Sequence, residues 1–262
     1  MTSEHTPLVA KGQLSAMRRI HRDLDKLCML CGICNDICIL TGLIVAHYIP
    51  PMAPSLTMEE VAKHYHDHHV GVAFAATLFI FAGITYPPWA AAVANQMRRI
   101  PTCSFGLIIM QILASTITSF LTTLPGLLFA WIAYRPERNP EITYHINDLV
   151  WLVVVMPGTP LIVQAWCQAI AIFQDYQINP DPSATQHLYP KWFAWFLTLL
   201  PIAYFPPMAC HFLYSGPLAW NGAFAFWVSV GLFGVQINVT QYVTWNVINT
   251  TPDYELEDGH FE

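Results

Sequence analysis

The stretch LCMLCGICNDICILTGLIVAHYI (residues 27–49) decides the fold, because it carries two conflicting signals. Four cysteines in it have the C-x2-C-x2-C-x3-C spacing of a bacterial ferredoxin loop. They are Cys28, Cys31, Cys34 and Cys38. An iron–sulfur loop over residues 28–38 would leave an apolar run too short to cross a bilayer, which takes roughly 17–25 residues. Read as one helix, residues 27–49 cross it, and the cysteines form a small stripe that suits close helix packing. The stretch therefore predicts a membrane-spanning helix, with the iron–sulfur cluster as the disfavoured alternative.

Five further runs along the 262-residue chain have the same apolar character. Hydrophobic residues make up 55% of the sequence and charged residues 11%, about half the charged share of a soluble domain. The six runs cover about residues 27–49, 70–95, 103–134, 148–173, 191–213 and 220–248. The predicted fold class is an all-α, polytopic transmembrane bundle of about six spans. Because the charge is sparse and its net value is -6, we expect no nucleic-acid partner.

The distribution of basic residues predicts the orientation of the bundle. Residues 1–26 form a polar N-terminal segment, in which Leu14 to Leu27 read as an amphipathic helix on the membrane surface. Eight of the eleven Lys and Arg residues fall in this segment or at the same side of later spans, where cytoplasmic loops carry them. We therefore predict cytoplasmic termini, with residues 27–249 as the bundle and residues 250–262 as an acidic tail.

Two polar residues interrupt the first span. Asn35 and Asp36 lie well inside the apolar run, where an ionisable side chain is costly and faces a bundle interior, a cavity or a partner. One interpretation is a structural hydrogen bond to another span. The other is binding of a polar ligand group or handling of a proton.

A histidine-rich helix is predicted between the first two spans. In TMEEVAKHYHDHH (57–69), Thr57 and Glu60 have the spacing of a capping box. Glu60, His64 and His68 recur at helical spacing, with Asp67 beside them. Histidines one turn apart, together with a carboxylate, are able to bind a divalent metal, and His47 is a candidate neighbour. The alternative is a solvated juxtamembrane helix.

Prolines recur within the second to fifth runs. They are Pro87, Pro88, Pro125, Pro157, Pro160, Pro201, Pro206 and Pro207. Proline removes a backbone hydrogen bond and kinks a helix. Freed backbone carbonyls at membrane depth are satisfied by neighbouring helices or by a cavity. The pattern predicts a bundle that bows around an interior space.

The stretch YRPERNPEITYHINDLVW (134–151) concentrates polar groups at the mouth of the predicted fourth span. Arginine, carboxylate, amide and indole groups there form a candidate binding set. Its members are Arg135, Arg138, Glu141, Asn147, Asp148 and Trp151. Either arginine paired with Asp148 would clamp two spans together, and the alternative is binding of a ligand head group. Gln164 and Gln168, one turn apart in the same span, would bond helix to helix or line a polar track.

Several of these stretches carry a resemblance to a known family. QMRRI (96–100), YRPERNPEIT (134–143), NDLVW (147–151), YPKW (189–192) and GPLAWNG (216–222) resemble an uncharacterised bacterial family of predicted multi-span membrane proteins. The resemblance covers about residues 55–245 and implies a multi-span topology. It implies no activity, and it favours residues 134–157 over the cysteines and histidines as a site.

The function that these features predict is binding of a lipophilic small molecule in the bacterial inner membrane. The protein would act as a transport component or as an accessory subunit beside membrane lipids and other membrane subunits. A kinked, aromatic-rich bundle with few polar groups suits such a ligand. One alternative is a metal-dependent enzyme that acts on a hydrocarbon, sterol or terpenoid at the His64 and His68 face. Another is a purely structural subunit.

Overall fold

The computed structural model describes residues 11–180 and 187–250, and all regular structure within these ranges is helical. There are eight α-helices in the described ranges: α1 (Lys11–Val45), α2 (Met58–Asp67), α3 (His69–Met97), α4 (Phe105–Ala133), α5 (Pro140–Val155), α6 (Thr159–Ile178), α7 (Lys191–Leu199) and α8 (Ser229–Thr250). Two 3-10 helices follow α7, at Leu200–Tyr204 and Pro206–Phe212, and a π-helix at Ala223–Val228 leads into α8.

Within the described ranges, six segments are long and apolar enough to cross a membrane. They are Met17–Val45, His69–Met97, Phe105–Ala133, Pro140–Ile178, Lys191–Phe212 and Ala223–Thr250. The predicted all-α, six-span bundle is therefore confirmed, and the protein is a multi-pass integral membrane protein. The predicted acidic tail lies outside the described residues beyond Thr250, as does the start of the N-terminal segment before Lys11.

The first helix is longer than the span predicted from its apolar run. α1 continues without interruption from Lys11 to Val45, because no proline occurs between these residues. The predicted surface helix is thus the first part of α1. Its apolar side chains at Met17, Ile20 and Leu24 are exposed, so they are available to lipid.

The prolines act differently from one helix to the next. α3 and α4 continue through Pro87–Pro88 and Pro125. At Pro157 the fourth span breaks, and α5 ends before α6 begins. In the fifth span, Pro201 and Pro206 lie in the two 3-10 helices that replace its second half. The bends thus concentrate where the fourth, fifth and sixth spans meet.

The two ends of the bundle differ chemically. The end where α1 begins carries Lys26, Arg98 and Lys191, and we call it the basic end. The opposite end carries His47 and His64, and we call it the histidine end. Each end has its own buried apolar cluster, so the middle of the bundle lies between two cores.

Candidate functional site

A partly open cavity of about 140 Å³ lies in the middle of the bundle. Its wall includes irregular parts of the helices, at Pro157, Gly158, Pro207 and Phe226, together with Pro125 inside α4. The Cβ that any other residue would have at Gly158 would lie 2.6 Å from Tyr204 Cβ, so glycine is what lets the start of α6 approach the 3-10 helix. The predicted interior space is thus present at the predicted proline bends.

The wall is apolar in character because its hydroxyl groups are bonded within the protein. The Tyr204 hydroxyl donates to Gln236 Oε1 at 2.9 Å. The Ser229 hydroxyl lies 3.2 Å from the Ala203 carbonyl. An apolar cavity of about 150 Å³ stays dry and holds a molecule the size of benzene. The cavity therefore suits one ring or a short stretch of an apolar chain.

Gln164 joins three helices beside this cavity. Its Oε1 accepts a hydrogen bond from the Tyr86 hydroxyl at 3.0 Å, and its Nε2 donates to Thr118 Oγ1 at 2.7 Å. Thr118 lines the cavity from α4. Gln164 thus holds α3, α4 and α6 together, as the helix-to-helix interpretation expects.

Asn35 and Asp36 both bond to other spans. Asn35 Nδ2 donates to the Ala82 carbonyl on α3 at 2.8 Å. Asp36 Oδ2 accepts from Asn238 Nδ2 on α8 at 2.7 Å. Asp36 lies ten residues from Lys26 and nine from Val45, about 15 and about 14 Å along the helix axis. This carboxyl group is therefore near the middle of the membrane.

Gln168 belongs to a second polar group nearer the basic end. Its Nε2 is buried and makes no well-formed hydrogen bond to protein, and the same holds for the hydroxyl oxygens of Tyr189 and Thr244, which have each other as near polar neighbours. Tyr189 lies beside Gln168 and Thr244, and within electrostatic range of Asp25. Burial raises the pKa of the Tyr189 hydroxyl to about 12, so it is a neutral hydrogen-bonding group.

Asn147 and Trp151 are buried side chains at the histidine end. Asn147 Oδ1 accepts from the Tyr65 hydroxyl at 2.9 Å and from Trp151 Nε1 at 3.1 Å. Trp151 is fully buried against Tyr48 and Phe226. These two candidates fix α2 to α5, while Asp148 beside them is half-buried.

The charged candidates at the start of α5 lie on the surface. Arg138 stacks on the Trp131 ring at 3.4 Å and donates to the Trp131 carbonyl at 3.2 Å, and its contact is thus with α4 rather than with Asp148. Arg135 lies near Tyr134, 5.9 Å from the ring centre. Glu141 is exposed in the first turn of α5.

Three histidine rings meet at the histidine end. His47 stacks on His68 with ring centres 4.2 Å apart, and His64 lies 4.8 Å from His68. His47 thus lies beside His64 and His68, as predicted. Its backbone has a positive φ of 56°. His64 Nε2 lies 3.1 Å from the Ala46 carbonyl. Burial lowers the pKa of the His64 imidazole.

The carboxylates of the metal hypothesis are engaged elsewhere. Glu60 accepts from the Thr57 backbone N–H at 2.8 Å, which confirms the predicted capping box. Asp67 Oδ1 lies 3.3 Å from His66 Nδ1. Within the described ranges no group of three His, Cys, Asp or Glu side chains is placed to hold a metal ion. The metal site at Glu60, His64, His68 and Asp67 thus gains no support and stays a hypothesis.

The four cysteines of the opening stretch lie on one uninterrupted helix, as the span interpretation predicts. Cys38 is buried, and Cys28, Cys31 and Cys34 are half-buried. Cys28 and Cys31 pack against the apolar cluster of the basic end. The helix places the cysteines along a packing surface.

The sequence interpretation missed a buried acid–base pair at the basic end. His187 Nδ1 lies 2.6 Å from Asp175 Oδ2, with each side chain 7% exposed. The His187 ring stacks on Tyr176 with centres 3.7 Å apart. Asp175 follows Gln168 by seven residues on α6, so helical spacing from the two glutamines was the signal that could have identified it.

Comparison with known proteins identifies no relative: no family model, curated protein or solved structure matches this chain.

Proposed function

We propose that this integral membrane protein binds a lipophilic small molecule, or the apolar chain of one, in its mid-membrane cavity. The observation that carries the proposal is the position of this cavity, between two buried cores and at the irregular parts of the fourth, fifth and sixth spans. Ligand sites in proteins are concave and mostly apolar, with a few placed polar groups. The hydroxyl-bearing residues of this wall are Thr118, Thr122, Tyr204 and Ser229, and each donates its hydrogen bond within the protein, which leaves the wall apolar.

The size and opening of the cavity define the part of the ligand that binds. About 140 Å³ is too little for a whole sterol or isoprenoid. A ring or a chain end that enters from the lipid would fit, while the rest of the molecule stays in the bilayer. The role is that of a transport component or an accessory subunit. In this proposal the protein resembles the uncharacterised bacterial multi-span family, resides in the inner membrane and has cytoplasmic termini.

Filling the cavity tests this proposal. In Thr122→Phe a ring is added at a residue that lines the cavity on α4. In Ile117→Phe, the matched control, a ring is added on the same helix at a side chain that is 51% exposed. Each full-length protein is purified in mild detergent, and its lipophilic content is extracted and measured by mass spectrometry.

Wild type and Ile117→Phe are expected to retain one dominant lipophilic species at near one per chain, and Thr122→Phe is expected to lose it. Thermal unfolding of all three proteins checks that the variants fold. The proposal fails if wild type carries only the bulk phospholipids of the membrane, or if folded Thr122→Phe retains the same species in the same amount.

A further inference from the structure

Among the described residues, the carboxyl group of Asp36 has no cationic partner inside the membrane. In the described part of the chain this carboxyl group accepts a hydrogen bond from Asn238 on α8, and no Lys, Arg or His lies within electrostatic range of it. The titratable groups that face it are Tyr86 from α3 and Tyr204 from the 3-10 helix. An ionisable group in such a place marks an ion or proton pathway or a ligand counter-ion.

One oxygen of the Asp36 carboxyl group is not used in a hydrogen bond to protein. Oδ2 accepts from Asn238, whereas Oδ1 is buried without a protein partner. Buried polar groups are nearly always hydrogen-bonded, to protein or to ordered water. The free oxygen therefore identifies where a water molecule or a proton binds.

Further buried polar atoms without a well-formed hydrogen bond to protein continue from Asp36 toward the basic end. They are Gln241 Oε1, Thr244 Oγ1, Gln168 Nε2 and the Tyr189 hydroxyl. Each of these side chains is less than a tenth exposed, and Thr244 is fully buried. A buried water needs two to four polar partners, and such a group supplies them. We call these four residues the polar column.

Two routes join the polar column to Asp36. On α8, Asn238, Gln241 and Thr244 follow one another at three-residue spacing, so they share one face. On the other side, Gln168 is one turn from Gln164, whose partner Tyr86 lies within electrostatic range of Asp36.

The two routes meet at Tyr189. Its hydroxyl lies beside Gln168 and Thr244, and within electrostatic range of Asp25 and Arg99 at the basic end. Asp25 Oδ2 in turn accepts hydrogen bonds from Asn95 and Gln96. The polar column thus reaches the end of the bundle where aqueous contact begins.

No comparable column leads from Asp36 to the histidine end in the described residues. Of the eleven buried polar atoms without a well-formed hydrogen bond to protein, the Tyr48 hydroxyl is the one that lies beyond Asp36 in that direction. The space there holds the apolar cavity and the aromatic cluster around Phe129 and Trp151. In the described residues, buried polar atoms that could bond a water molecule therefore lie mainly on the basic side of Asp36.

We infer that Asp36 is a proton-binding site in the membrane and that the polar column supplies its protons from the basic end. A hydronium ion carried along column water transfers its proton to Asp36 Oδ1, which leaves a water molecule and a neutral carboxylic acid. Release reverses this step. A proton-coupled conformational cycle requires that protons reach the binding site from one side of the membrane at a time. The inference does not depend on which ligand binds in the cavity.

Infrared spectroscopy of the full-length protein in lipid bilayers tests the inference. The carbonyl stretch of a protonated carboxylic acid is followed during exchange from H2O to D2O. Asp36→Asn is compared with Asp148→Asn, which changes a half-buried carboxyl group outside the polar column. Thr244→Val, inside the polar column, is compared with Thr116→Val, whose hydroxyl bonds within α4 and is exposed.

Wild type is expected to show the band, Asp36→Asn to lose it and Asp148→Asn to keep it. Exchange is expected to slow by about tenfold in Thr244→Val, because a column water loses a partner, and to keep its rate in Thr116→Val. The inference is overturned if the band is absent from wild type at every pH, if it survives in Asp36→Asn, or if Thr244→Val exchanges as fast as wild type.

Discussion

Gln164 shows what single polar side chains do inside this bundle. Its one amide accepts from Tyr86 and donates to Thr118, so both ends of the side chain are satisfied by different helices. At the histidine end, Asn147 Oδ1 accepts from Tyr65 on α2 and from Trp151 one turn later on its own helix α5. Hydrogen bonds of this kind join membrane helices where apolar packing alone is no stronger than packing against lipid.

Replacing Gln164 is expected to destabilise the protein. Gln164→Leu leaves the buried Tyr86 hydroxyl without its acceptor, which costs about 1–3 kcal/mol. The matched control is Ile170→Leu on the same helix, at a side chain that is 44% exposed, where a change within about 0.5 kcal/mol is expected. The free energy of unfolding is measured by denaturation in mixed micelles. Equal stability of the two variants would contradict the role assigned to Gln164.

Acid is expected to loosen α2 through His64. Because burial lowers the pKa of His64 in the folded protein, the unfolded chain binds more protons below its own pKa of about 6.5. Stability is therefore lost as the pH falls from that value toward the folded pKa. His66 acts in the opposite sense, since contacts with Asp67 and Glu137 raise its pKa, but its full exposure makes that effect small.

Hydrogen exchange of residues 58–68 measures this effect. The backbone amides of α2 are expected to exchange faster at about pH 5 than at about pH 7 after correction for intrinsic rates. His64→Phe keeps the ring that packs on Tyr48 and is expected to remove the acid response. A response of the same size in His64→Phe would assign it to another group.

The sequence predicts which residues are unusual better than it predicts what they contact. Asn35, Asp36 and Gln164 were found because a polar side chain in an apolar run has to have a partner. Their partners lie 46 to 202 residues away along the chain. Such pairings depend on how the helices are arranged, and no local pattern encodes that arrangement.

Among the helices, α3 is the one around which the others pack. Glycines bring its backbone close to α4, and Gly71 brings it close to the Val45 carbonyl at the end of α1. A Cβ at Gly126 of α4 would lie 2.8 Å from the Ala76 carbonyl oxygen of α3. At Gly83 of α3 an added Cβ would clash with Thr123 of α4. Small residues at such contacts let membrane helices approach closely.

Adding one methyl group at this contact is expected to separate the helices. Gly126→Ala would place its Cβ against backbone that cannot move easily, which costs about 1–3 kcal/mol. Gly231→Ala on α8 is the matched control, since its Cβ would have no neighbour within 4 Å. That change should be neutral or stabilise the helix by up to about 1 kcal/mol. Thermal unfolding compares them, and a stable Gly126→Ala protein would contradict the close contact.

The sequence predicts the helices well but not their irregular forms. Prolines predict bends, and the structure has bends at Pro157 and in the fifth span. α3 passes through two adjacent prolines without a break, because neighbouring helices hold it. The π-helix at Ala223–Val228 has no sequence signal, since an apolar aromatic run reads equally well as α-helix. This helix contributes Ala225 and Phe226 to the cavity.

For the whole molecule, the basic residues predict the side on which each end lies. In this prediction the basic end faces the cytoplasm. Reporter fusions in cells test it: a green fluorescent protein fused after Thr102 is expected to fluoresce, and a phosphatase fused after Pro54 to be active. The reverse pattern would show that the bundle has the opposite orientation, with the entrance of the polar column on the outside.

The cavity and the polar column divide the bundle into two chemically different halves. The apolar cavity lies toward the histidine end, and the polar column leads from Asp36 to the basic end. A lipophilic ligand and a proton would thus meet near the same depth from opposite sides.

Photo-crosslinking in native membranes tests whether a lipophilic ligand binds in the cavity. A benzoylphenylalanine replaces Phe233, which lines the cavity on α8, or Tyr242 on the same helix, which is 67% exposed. The mass of the intact cross-linked protein is then measured. One discrete adduct at position 233 and a mixture of membrane phospholipids at position 242 are the predicted results. The same phospholipid mixture at both positions, or cross-links to the protein alone at position 233, would contradict a ligand site in the cavity.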